Sequence, residues 1–108
     1  MAATAVGPVV ESPGLPGGSS ALLNITAAQV VKAAPAILIR IIPVIVGTGT
    51  LTLNDCATTG AVATANQIAA IPAASMTAGV PIVLEWPCET GIVISTITAG
   101  GQFSVSFS

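Results

Sequence analysis

Two short stretches hold most of the residues in this chain that could do chemistry. "NDCATTG" (54–60) sets Asp55 beside Cys56, and "PCETG" (87–91) sets Cys88 beside Glu89. Two thiols and two carboxylates admit nucleophilic or acid–base catalysis, a metal centre, or a disulfide. The chain has no His, so Ser-His-Asp and Cys-His arrangements are excluded within it. Zinc could in principle take Cys56, Cys88, Asp55 and Glu89, but an acid beside a cysteine is more simply a turn residue. Glu85 and Glu89 could pair as acid and base, yet the sequence around them offers no polar cleft. No glycine-rich loop opens a helix, so phosphate has no cradle. The expectation is a chain without catalytic residues, metal or cofactor. Both cysteines follow the last alternating residue of a strand-like run and precede a Thr-Gly turn. No basic segment followed by an apolar one marks the N-terminus as a leader, which implies synthesis in a reducing cytoplasm. The reading favours two buried thiols; a Cys56–Cys88 disulfide is the alternative.

Two more side chains stand out. Trp86 shares the alternating row of Ile82 and Leu84, which makes it a core anchor; stacking on a glycan, with Glu85 and Glu89 nearby, is the other reading. Arg40 lies among isoleucines in "AILIRIIPVIV" (36–46). A charge in such a strand needs a partner. Glu85 or Asp55 is the internal choice, and a neighbouring subunit is the external one.

These residues sit in an unusual chain. Of its 108 residues, 53% are hydrophobic and 6% charged, against about 25% charged in an average soluble domain. So dry a surface argues that the chain packs against copies of itself or a larger assembly. Residues 36–46 are too few for a membrane span of about 20 and contain Arg40 and Pro43. A net charge of −2, without a basic patch or aromatic platform, gives no reason to expect nucleic acid.

The elements that must position these residues are strands. Val, Ile and Thr dominate from Ala21 onward, with Gly or Pro at short intervals. Strands are expected at 21–26, 28–33, 36–46, 50–54, 80–87, 91–98 and 102–108. Pro43 calls for a bulge or a free edge. Leu51 and Leu53 share one face of their strand; Phe103, Val105 and Phe107 share one face of the last. The alanine-rich 60–75 segment has no cap or apolar stripe for a helix, so a strand is placed near Gln67–Ile71. The fold expected is all-β, a small antiparallel β-sandwich or barrel of jelly-roll-like kind, over residues 21–108. Residues 1–20, "MAATAVGPVVESPGLPGGSS", read as an extended Pro/Gly-rich arm. Val6, Val9, Val10 and Leu15, together with Arg40, are the candidates for contacts between subunits.

"VVKAAPAILIRIIPVI", "GTGTLTLNDCATTGAVATANQIAAI", "LEWPCETGIVIS" and "GGQFSVSFS", in that order, resemble small β-rich virion structural proteins of tailed bacteriophages. The resemblance covers roughly residues 21–108 and contains no catalytic signature. It implies a capsid decoration or cement protein, made in the host cytoplasm and carried on the capsid surface. The partners implied are the chain itself, as a homo-oligomer such as a trimer, and a major capsid protein. A head- or tail-fibre module binding a host glycan through Trp86 is the competing function.

Overall fold

The computed structural model describes residues 18–108. Among the described residues, eight strands run in chain order: β1 (Ser20–Ile25), β2 (Gln29–Lys32), β3 (Ala36–Ile45), β4 (Thr50–Asn54), β5 (Gln67–Pro72), β6 (Ile82–Cys88), β7 (Ile92–Thr96) and β8 (Gln102–Phe107). They form two four-stranded sheets with spatial orders β1-β8-β3-β6 and β2-β7-β4-β5. Every pairing is antiparallel. Only β4 and β5 are neighbours both in sequence and within a sheet; every other connection crosses between sheets. This interleaving of eight strands in two sheets is that of a jelly roll. The all-β sandwich expected from the sequence is therefore present.

The core lies between the sheets. Ile25, Leu38, Ile41, Phe103 and Val105 face it from one side, and Leu51, Leu53, Ile92 and Ile94 from the other. Strict alternation places most of them: Phe103 and Val105 are buried while Ser104 and Ser106 stay partly exposed. Pro43 is tolerated in β3 for a visible reason. The β3–β6 pairing ends at Ile41 and Ile82, so the missing N–H of Pro43 costs no ladder bond on that side. The register against β8 shifts just beyond it. The Pro43 carbonyl accepts the Gly79 N–H at 2.7 Å.

Two residues with left-handed backbone change which side chains face in. Asn24 has φ 58° and Glu85 has φ 49°. At Asn24 the β1–β8 register slips, so Leu23 turns to solvent while the next-but-one residue, Ile25, enters the core. At Glu85, β6 gains a residue on β3: Arg40 pairs with Val83 but Leu38 pairs with Trp86. Bulges of this kind re-aim the side chains that follow.

The alanine-rich segment forms 3₁₀ turns at Thr59–Ala61 and Thr64–Asn66 and then β5. The strand expected near Gln67–Ile71 is there. The first strand begins one residue before the expected 21–26. Ser19 donates its N–H to the Phe107 carbonyl at 3.1 Å and Ser20 already belongs to β1. Thus Gly18–Ser20 are part of the β domain.

Candidate functional site

The two cysteine turns meet. The Asp55 carboxylate accepts three backbone N–H bonds, from Glu89 at 2.9 Å, Thr90 at 2.8 Å and Gly91 at 3.1 Å. Gly91 fits because it has no side chain: a Cβ there would lie 2.6 Å from the Lys32 carbonyl oxygen and against that of Cys56. One carboxylate thereby ties the end of β4 to the turn between β6 and β7, across the two sheets. Burial raises the Asp55 pKa, but the three N–H donors outweigh it, and the carboxyl lies below its ordinary 3.8. Cys56 and Cys88 are both buried and free. Burial, followed by the nearby Asp55 charge, pushes the Cys88 thiol up to about 11, against a small lowering by the Leu38 backbone. A thiol held protonated at neutral pH is a poor nucleophile. Among the described residues, no group of three or more His, Cys, Asp or Glu is placed to hold a metal ion. The Asp55 carboxylate thus clasps the two sequence stretches together.

A direct consequence is testable. Folded protein should react with a thiol reagent at pH 7 roughly 100-fold more slowly than unfolded protein, because access requires opening of the core. Both thiols should titrate fully in denaturant. Fast reaction of either in the folded state would contradict this burial.

The outer face of the β2-β7-β4-β5 sheet carries a polar network that the sequence did not announce. Asn54 is buried. Its Nδ2 donates to the Ala63 carbonyl at 3.0 Å and to Asn66 Oδ1 at 2.7 Å. Its Oδ1 accepts from Ser95 Oγ at 2.6 Å. Ser95 has no second proton to give, so Thr52 Oγ1 donates to Ser95 Oγ across 2.6 Å. Asn66 closes the turn by accepting from Ala63 N–H and donating to the Ala61 carbonyl. The chain around 61–66 is thereby fastened over this face. An open polar groove of about 350 Å³ runs beside it, lined in part by Thr52, Thr64, Gln67 and Ser95. Clustered Thr, Ser and Asn spaced at period two was the only sequence signal for it.

The outer face of the other sheet, β1-β8-β3-β6, is apolar. Leu23 is 68% exposed and Val83 55%; Ile42 and Val44 are exposed beside them. Arg40 stands among these residues, at a shallow hollow of about 140 Å³ formed with Ala21, Leu23, Ile42, Ser104 and Ser106. Its Nε is buried and has no hydrogen-bond partner among the described residues. The expected pairing with Glu85 or Asp55 does not form. Asp55 is engaged at the clasp, and Glu85 turns outward on its left-handed backbone.

Trp86 is not the core anchor the alternation implies. It is 50% exposed, on an edge strand, immediately after the Glu85 bulge that breaks the row begun by Ile82 and Leu84. Val6, Val9, Val10 and Leu15 lie outside the described residues. No helix among the described residues is long and apolar enough to cross a membrane. Comparison with family models, with curated proteins and with solved structures returned no match to this chain, so its functional reading rests on its own residues.

Proposed function

We propose that this chain is a non-enzymatic structural protein of a tailed-bacteriophage particle, a decoration or cement protein that binds the capsid surface and stabilises capsomer junctions. The observation that supports this reading is the apolar outer face of the β1-β8-β3-β6 sheet. Leu23, Ile42, Val44 and Val83 are exposed around one arginine, in a chain with 6% charged residues. Contiguous exposed apolar surface usually marks an interaction site. A lattice of copies on a capsid would remove that surface from water. The eight-stranded jelly roll is an architecture that capsid and lectin domains both use, and that likeness is one of fold alone.

Particles assembled with and without the protein test the reading. The protein should be incorporated at fixed stoichiometry, and particles lacking it should open at lower temperature. Leu23→Asp with Val83→Asp should abolish incorporation while leaving the unfolding midpoint nearly unchanged, since both sites are exposed. Equal thermal opening of the two kinds of particle would reject the cementing role.

The half-exposed Trp86 supports a second reading, a fibre-associated module that stacks the ring on a host-surface glycan. An indole in that position offers a flat apolar face with acids close in sequence. Trp86→Ala should then abolish glycan-array binding at little cost in stability. Binding that is absent in the parent protein, or that survives the substitution, rejects this use of Trp86.

A further inference from the structure

Among the described residues, two hold left-handed backbone without being glycine: Asn24 with φ 58° and Glu85 with φ 49°. They are not scattered. Asn24 lies on β1 and Glu85 on β6, and these strands are the two edges of one sheet, β1-β8-β3-β6. The pattern around them is the same. On β1, Leu22 pairs with Val105 and Ile25 with Phe103, so three steps along the edge strand meet two along β8. On β6, Val83 pairs with Arg40 and Trp86 with Leu38, so three steps meet two along β3. Each edge strand thus holds one extra residue, and in each the left-handed residue is the last before pairing resumes. The edges of the other sheet, β2 and β5, have no left-handed residue.

Left-handed backbone is costly for a residue with a side chain, and glutamate is not among those that relieve it by local hydrogen bonding. Strain that recurs at matching places points to a role. The role follows from what an edge is. An outer strand presents unpaired N–H and C=O groups to which another strand can add. The hazard is greatest on this sheet. Its outer face is apolar, with Leu23, Ile42, Val44 and Val83 exposed, and a chain with 6% charged residues offers little repulsion between copies. A bulge twists the edge away and breaks its regular row of donors and acceptors. β6 carries a further block. Ile37 donates its N–H to the Ser108 carbonyl at 2.8 Å and accepts the Ser108 N–H at 3.0 Å, so its pair with Pro87 across β3 and β6 is an unbonded one. The missing N–H of Pro87 therefore lies on the free side.

We infer that the left-handed bulges at Asn24 and Glu85 close both edges of the β1-β8-β3-β6 sheet to strand addition, so that copies of this chain cannot join edge to edge into a continuous sheet. The inference does not rest on the capsid role. It concerns how the chain avoids pairing with itself, whatever surface it occupies.

A full-length chain lacking both Asn24 and Glu85 tests it. Removing one residue from each edge restores one-to-one pairing from Leu22 to Ile25 and from Val83 to Trp86, and keeps the pairs on either side. This chain should join edge to edge. The expected readouts are a gain of thioflavin fluorescence, faster sedimentation, and new protection of β1 and β6 amides from hydrogen exchange. Deleting Asn24 alone should act more strongly than deleting Glu85 alone, because Pro87 still guards β6. The control is Asn24→Gly combined with Glu85→Gly. Glycine adopts left-handed backbone freely, so the bulges stay while the edge charge is lost. The control should match the parent protein in all three measures. If circular dichroism shows that the deletions unfold the chain, Asn24→Val with Glu85→Val takes their place, since β-branched residues resist positive φ. A folded deletion or valine chain that matches the parent would overturn the inference. So would a glycine control that joins as readily as the deletion chain, because side chains rather than bulges would then guard the edges.

Discussion

Phe103→Ala should destabilise the protein by about 3–5 kcal/mol. Phe103 is fully buried. It pairs with Ile25 of β1 on one side and Pro43 of β3 on the other, so its ring packs where three strands of one sheet face the second sheet. Truncation removes the transfer free energy of the ring and leaves a cavity that two rigid sheets cannot close. Domains of this size have about 5–15 kcal/mol of stability in total, so the loss is a large share of it. The measurement is urea unfolding with an unchanged slope and a much lower midpoint. Phe103→Leu, which refills most of the volume, should cost less than half as much. A loss below about 1 kcal/mol for the alanine variant would mean that the sheets do not pack through this residue.

Which features could be read from the sequence follows from the range of the interaction that sets each one. "QFSVSFS" and "TLTLN" fix their inward faces by alternation, because pleating alone decides it. Pro43 announced the end of pairing on one side of β3, because a missing N–H is a local property. The segment before β5 could be denied a helix on local grounds, since it had neither cap nor stripe. The outward turn of Trp86 could not be read. It depends on a left-handed Glu85, and glutamate carries no signal for that conformation as glycine or asparagine does. Asn24 carries such a signal, but in a strand-like run it was outweighed by its neighbours.

Arg40 shows a different limit. "AILIRIIPVIV" is apolar at both parities, which reads as a strand buried on both faces. One of those faces does line the core through Leu38 and Ile41. The other, bearing Arg40, Ile42 and Val44, is left open by the described chain. Hydrophobicity states that a face avoids water; it does not state whether the cover comes from the same chain. The same limit hid the Asp55 clasp, whose partners lie 34 to 36 residues away. The cysteine turns looked alike from sequence, but their contact is a property of the sheet crossing.

That clasp carries the second large effect. Asp55→Ala should destabilise the fold by about 2 kcal/mol, since it leaves three backbone N–H groups without their ionised acceptor; exposure of the site to water keeps the figure from being larger. Asp55→Asn should recover part of the loss, because an amide oxygen still accepts but carries no charge. The pH dependence follows from the direction of the shift. The folded carboxyl titrates below its ordinary 3.8, so the unfolded chain binds the proton first as pH falls. The contribution of Asp55 is therefore complete above about pH 5 and is lost as pH drops through 3.8 and on through the lower folded value. Parent and Asp55→Asn proteins should differ most near neutrality and converge in acid. The comparison is urea midpoints at pH 7 and pH 3. A gap that is the same at both pH values would show that the charge of Asp55 contributes nothing and that only its shape holds the two turns together.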